Sequence, residues 1–455
     1  GPRKERWNSG FTASRSGPIV FRLIARAYIE CFRGTSVLVQ LFWFYYVVPP
    51  LLHVDPPLQL IAMLVLGLNV GSYGAEVVRG ALQSVDKGQL DAAHALSLKP
   101  YQAYARIILP QAIPQMVPTF SNLVVELIKA SSLIGLVSLV DIMRIARTTI
   151  EQSPKQVLLV LFGALCLYGV ISWLALLIVK QWERPVLRRW CGRLLQPALA
   201  PVGWLIWWLC HHHGRAVSWT VGLFALAAAA LVAVLAAEQW QWDHAIDSTA
   251  YLLDGIGMTV LATAGGAAIA LSLGAVWSML RTTRFLGRPL RWLLDFIRAT
   301  PPYTQLLLVY FGLAPALGLA LPAWLIGLVT LGIHYSTYTA EVYRSGVEAV
   351  PAGQREAARS LGLSPWQIAT RIIYPQAIPR VLPALGNYVI ALFKETPLLM
   401  TITVAEMLFM ADGYASMHFR FMEPSTMLGI LFLLLSLVSA SGVRLLERIF
   451  PVRHA

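Results

Sequence analysis

Two stretches of this chain are near copies of one another. Residues 106–118 read RIILPQAIPQMVP and residues 371–383 read RIIYPQAIPRVLP, identical at nine of thirteen positions. The offset, 371 less 106, is 265 residues. It also carries Arg33 to Arg298, Gln40 to Gln305, Glu76 to Glu341, Arg79 to Arg344, Lys129 to Lys394 and Asp141 to Glu406. No gap interrupts the register between residues 33 and 141. A tandem duplication constrains the whole fold, because both copies must follow the same path and bury the same faces.

The copied segments are apolar. Of 455 residues, 57% are hydrophobic and 13% charged, against about 25% charge in a soluble domain. Runs such as Val217–Ala237 and Met427–Val443 approach the ~20 residues that cross a hydrocarbon core. Leu- and Ala-rich runs of this length must satisfy their own backbone, which makes them helices. The expected fold class is an all-α polytopic membrane protein with about ten transmembrane helices. In the second copy spans are expected near 252–280, 298–317, 322–344, 381–410 and 426–446; in the first, near 34–54, 58–79, 117–145 and 156–179.

The first copy thus lacks a leading span, through truncation or by nature. Residues 1–180 form the first module, 181–250 a linker with one extra helix at Val217–Ala237, and 251–455 the second module. Basic residues cluster at Arg3, Lys4 and Arg6, at Arg184–Arg193 and at Arg444–Arg453. The positive-inside bias puts these clusters, and the C-terminus, in the cytoplasm. Trp204, Trp207 and Trp208 suit the interfacial belt.

The net charge of +13 does not point to nucleic acid, since no basic stretch is long enough to track a phosphate backbone. Cys31, Cys166, Cys191 and Cys210 form no CxxC pair, so isolated thiols are expected. His211–His213 have no carboxylate neighbours, and no metal site is expected. No GxxxxGK[ST] loop occurs, which argues against ATP hydrolysis by this chain.

The polar stretch 350–379, VPAGQREAARSLGLSPWQIATRIIYPQAIP, reads as two short helices around a tight turn. Ala357 and Ala358 beside Glu356 permit close backbone approach. Gly362 can adopt φ > 0 and close the first helix. Ser364, Pro365 and Gln367 look like an N-cap, first-turn proline and capping box. Pro375 and Pro379 are expected to break the second helix. In the first copy Ser97 stands for Gly362 and Lys99 for Ser364, both unfavourable changes.

This pattern, EAA then LG then PxAxP, resembles the coupling loop of ATP-binding-cassette (ABC) importer permeases. The match carries to Glu356, Ala357, Ala358, Leu361, Gly362, Pro375, Ala377 and Pro379, and in the first copy to Asp91, Ala92, Ala93, Leu96, Pro110, Ala112 and Pro114. YIECFRGTSVLVQLFWFYYVVP (28–49), LLDFIRATPPYTQLLLVYFGLAP (293–315), KASSL (129–133) and KETPL (394–398) are similar to segments of the polar amino-acid permease subfamily. Ser36 departs from the proline that Pro301 retains.

The resemblance implies two fused type I ABC importer modules in a bacterial inner membrane. They would carry polar amino acids and couple through both loops to two ABC ATPase subunits. An extracytoplasmic solute-binding protein would deliver substrate. No cofactor is expected on this chain; ATP and Mg belong to the partner subunits. The contacts expected are membrane lipid and these proteins. A secondary transporter built from repeats and an inactive remnant are the alternatives.

Charges inside the spans are the other candidates. Lys129, about twelve residues into its expected helix and so ~18 Å along it, costs roughly 2.5–3.5 kcal/mol on insertion scales. It needs a partner or a wet cavity. Glu126, Lys129, Asp141, Lys394, Glu395 and Glu406 are therefore candidates for the translocation path. Glu126 and Lys129 could instead pair with each other at i, i+3. His334 and Glu341 carry less weight. A break in the helix is expected at Ser131–Ser132 and Thr396–Pro397.

Overall fold

The computed structural model describes residues 19–137, 139–182, 239–283 and 285–449, which form helices joined by turns, with no strand among them. The Val217–Ala237 span, the Trp204–Trp208 cluster, His211–His213 and Arg184–Arg193 lie outside the described residues.

The first copy begins with α1 (Ile19–Gly34), α2 (Val37–Tyr46), α3 (Leu58–Gln83) and α4 (Lys87–Ala95). It continues with α5 (Leu109–Ser131), α6 (Ile142–Gln152) and α7 (Val157–Trp182). The second holds α8 (Trp242–Leu280), α9 (Gly287–Ala299), α10 (Pro302–Leu307), α11 (Ala323–Glu348), α12 (Ala352–Ser360), α13 (Tyr374–Glu395), α14 (Met407–His418) and α15 (Met422–Ile449). Both ends of α3 and α4 map onto α11 and α12 at the 265-residue offset, as do the first residues of α6 and α7 onto α14 and α15. The register read from a few side chains holds for whole helices.

Five described helices are long and apolar enough to cross a membrane: Leu58–Gln83, Tyr101–Val137, Pro154–Val179, Trp242–Leu280 and Met422–Leu446. A sixth appears if Pro365–Ile402 and Met407–His418, bent by 48°, count as one span. Large apolar side chains such as Met63, Leu159, Ile178 and Val438 are exposed on these helices, a surface that water disfavours and lipid tails cover.

Three expected boundaries move. The 252–280 span starts at Trp242 and runs 39 residues, ~58 Å at 1.5 Å per residue, well beyond a ~30 Å hydrocarbon core. The 298–317 span is two elements. Thr300 and Pro301 are extended, with ψ of 150° and 136°, because a residue before proline is pushed out of the helical region. In the first copy Ser36, standing where Pro301 stands, makes the same break and accepts a hydrogen bond from the Leu38 amide at 3.3 Å. The 381–410 span starts earlier, at Tyr374, and is broken where expected, at Thr396–Pro397, into α13, a 3-10 turn over Thr396–Ile402 and α14. The first copy breaks likewise after Ser131, through Ile134–Val137.

The described residues fall into two compact units that cut across the repeat. One is built on Val48–Ile128; the other joins Gly34–Val47 and Lys129–Val170 to Gln241–Ala455. In the second unit α8 packs on α11 through small residues. A Cβ on Gly332 would meet Ile269 at 2.7 Å, and one on Gly274 would meet the Thr339 Cβ at 2.9 Å. The Thr339 hydroxyl donates to the Ala270 carbonyl at 2.6 Å. Close approach through glycine and threonine is how helices associate where no water drives them together.

Candidate functional site: two polar loops and a broken helix

Each repeat presents the same loop. In the second copy α12 ends at Ser360, Gly362 takes φ +73°, and Ser364 opens the next helix. The capping box is complete: the Gln367 amide donates to Ser364 Oγ at 3.3 Å and the Ser364 amide to Gln367 Oε1 at 2.9 Å. In the first copy Ser97 is held at φ +53°. The Lys99 amide still donates to Gln102 Oε1 at 2.9 Å, but lysine has no side-chain oxygen to return the bond.

The loops have two faces. Ala93 and Ala358 are buried, while Asp91, Ala92, Glu356 and Ala357 are exposed. Leu96 and Leu361 are 72% and 79% exposed, and Trp366 is 70% exposed. Below the first loop, Ile108, Ala112 and Met116 pack on Ala81 of α3 and on Val85 just beyond its end. In the second copy Gly346 replaces Ala81, and Val381 packs directly over it. The inward alanines anchor each loop and leave an acidic and apolar surface outside.

The prolines do not break the second helix as expected. Pro379 lies inside α13 and Pro114 inside α5, and Pro375 and Pro110 each occupy the second position of the same helices. Ahead of them runs a wider, π-type turn: Tyr104–Ile108, closed by the Leu109 amide on the Tyr104 carbonyl, and Ala369–Ile373, closed by Tyr374 on Ala369. A proline ring clashes with the carbonyl four residues back. Widening that turn relieves the clash, so the helix continues from the loop toward the break.

At the break the candidate charges find definite places. Lys129 lies in the last turn of α5 rather than at mid-helix, and Lys394 in the last turn of α13. The C-terminal end of a helix, partly negative, favours a cation there. Asp141 caps α6, accepting from the Arg144 amide at 2.8 Å. Its counterpart Glu406 caps α14, accepting from Leu408 at 2.9 Å and Phe409 at 2.8 Å. Glu406 is fully buried, with both oxygens occupied by the helix start; it holds the break rather than lining an open path. Glu126 is exposed on α5; Lys394 and Glu395 are half-buried.

Lys129 is 4% exposed and donates to the Tyr338 hydroxyl at 2.8 Å. The Arg298 guanidinium lies 5.3 Å from the same ring and donates to the Thr337 carbonyl at 2.8 Å. His334 and Gln305 Oε1 lie 3.1 Å apart, and Gln305 Nε2 donates to Thr300 Oγ1 at 2.7 Å. The first copy keeps parts of this arrangement: Arg33 sits 5.6 Å from the Tyr73 ring, and Gln40 donates to Thr35 at 2.8 Å. Sequence reasoning does not single out Tyr338. Its correspondence with Tyr73 at the 265-residue offset is the signal that could have found it.

This geometry repeats in one chain, and so does the match with known proteins. The family described as binding-protein-dependent transport system inner membrane component matches residues 9–188 and again 266–450. The chain is 43% identical over 211 residues to a protein named "Probable amino-acid ABC transporter permease protein y4tG" of Sinorhizobium fredii, covering 46% of this chain and 91% of that one. It is 30% identical over 202 residues to "Arginine transport system permease protein ArtQ" of Bacillus subtilis, 44% of this chain and 91% of that one. A solved structure, "Crystal structure of an amino acid ABC transporter with histidines", is 32% identical at a TM-score of 0.42, covering 45% of this chain and 95% of its own. Each relative spans about one repeat. The chain therefore belongs to the binding-protein-dependent inner-membrane permeases, as two such modules in tandem.

Proposed function

We propose that this chain is the membrane subunit of an ATP-driven importer of polar amino acids, coupled to its motor through the two polar loops. The observation that carries the reading is the two-faced loop in each repeat. Ala93 and Ala358 face inward, while Asp91 with Leu96, and Glu356 with Leu361 and Trp366, face outward. An exposed apolar patch ringed by charge suits docking to another protein. Two loops call for two ABC ATPase subunits, which would carry ATP and Mg; a solute-binding protein would deliver substrate outside. The amino-acid class follows the named relatives, each similar to this chain over one repeat. The basic residues near the end favour a cytoplasmic C-terminus. Glu126, Lys129, Lys394 and Glu395, around the broken helix, are the charges proposed to border the path.

Reconstitution with the ATPase and binding protein tests this. Glu356→Ala and Asp91→Ala should each reduce amino-acid-stimulated ATP hydrolysis and uptake several-fold, Glu356→Ala more, since its loop is better capped. If neither change has an effect, the docking assignment is wrong. If uptake persists without the ATPase, the protein is a secondary transporter.

A further inference from the structure

The second compact unit forms a half-open cavity of about 460 Å³, within the range of roughly 300–1,000 Å³ typical of small-molecule sites. Its lining has an unusual origin. The 265-residue offset pairs Tyr46 with Phe311, Phe42 with Leu307, and Arg147 with Asp412, and all six residues line this one cavity. The cavity is therefore lined by equivalent positions of both copies.

Were the two copies identical, each charged position of such a pair would be matched by the same charge, and like charges repel. Fusing the copies removes that constraint. Here one copy supplies Arg147 and the other Asp412, with Glu151 one turn beyond Arg147 on α6. Arg147 reaches the Tyr303 hydroxyl. Among the described residues no ion pair ties Arg147, Glu151 or Asp412 to an opposite charge.

We propose that this cavity binds one α-amino acid per chain in a single orientation, its carboxylate on Arg147 and its ammonium on Asp412. The inference rests on the importer reading and names where that substrate pauses. A guanidinium fork suits a carboxylate, a carboxylate accepts from an ammonium, and Tyr46 and Phe311 offer apolar faces to the side chain. Glu151 leaves the cavity with two carboxylates to one guanidinium, so acidic amino acids are disfavoured relative to neutral and basic ones.

The test is equilibrium binding of tritium-labelled standard amino acids to the full chain in lipid nanodiscs, without ATPase or binding protein. One equivalent should bind per chain. N-acetyl and carboxamide derivatives should compete at least tenfold more weakly than the parent amino acid, and glutamate and aspartate more weakly than glutamine. Arg147→Asp and Asp412→Arg should each abolish binding, while the double exchange restores it, since the cavity would again hold one guanidinium and two carboxylates. Restoration also shows that the single variants had not simply unfolded. Two equivalents per chain, undiminished binding in Arg147→Met and Asp412→Asn, or a double exchange that folds, by its elution and melting profile, yet does not bind would overturn the site. Uptake that survives Arg147→Met and Asp412→Asn would also overturn it while leaving the importer reading intact. Binding that follows these rules without ATP-dependent uptake would instead overturn the importer reading alone.

Discussion

Ser97 and Gly362 stand at the same turn and adopt the same left-handed backbone, φ +53° and +73°. Glycine enters that region freely, whereas a residue with a Cβ costs roughly 1–2 kcal/mol there. The first loop therefore stores strain that the second does not. Ser97→Gly should increase the hydrogen-exchange protection of residues 91–103 by about tenfold or less, and Gly362→Ser should lower that of 356–368 by a similar factor. Equal exchange in wild type and variants would show that the loops tolerate either residue. At Gly255 the constraint is steric: a Cβ would sit 2.8 Å from the Glu406 carbonyl carbon and the Met407 nitrogen. Because the obstacle is backbone, Gly255→Ala must displace α14 from α8 and should lower the melting temperature of the detergent-solubilised chain.

Among elements, the broken helix before α6 and α14 explains several charges at once. A lysine closes the incoming helix and a carboxylate opens the outgoing one, so the two half-helix ends are satisfied from the chain itself. Glu406→Ala would strip one buried and one part-buried amide of their acceptor, whereas Asp141→Ala strips one exposed amide and the Tyr168 hydroxyl. Loss of an N-cap costs about 0.5–2 kcal/mol, and burial puts Glu406 at the upper end. Glu406→Ala should thus lower thermal stability more than Asp141→Ala, with Glu406→Gln intermediate because it keeps an oxygen acceptor. The reverse order would refute the capping account. Lys129 differs from Lys394 in finding Tyr338, so the two breaks, alike in outline, are unlike in detail.

For the whole molecule, duplication within one chain sets the assembly. Two loops on one polypeptide predict one copy of this chain per two ATPase subunits; native mass spectrometry of the purified complex should give that ratio, and two permease chains would contradict it. Much of this was legible beforehand. The repeat register, the helical class, Gly362 and the Ser364 capping box depend on local chemistry within a few residues, which a linear pattern records. The prolines were misread because a π-type turn beside them absorbs a clash that composition alone says must end the helix. Boundaries at Trp242 and Thr300 shifted because apolarity marks where lipid lies, not where a helix starts or stops. Which charge meets which partner was decided by tertiary structure. Lys129 reaches Tyr338 across 209 positions, and Arg147 shares a cavity with Asp412 from the opposite copy. Periodicity describes the face a residue occupies on its own helix, but only packing brings two distant faces together, and that is where this chain holds its polar interior.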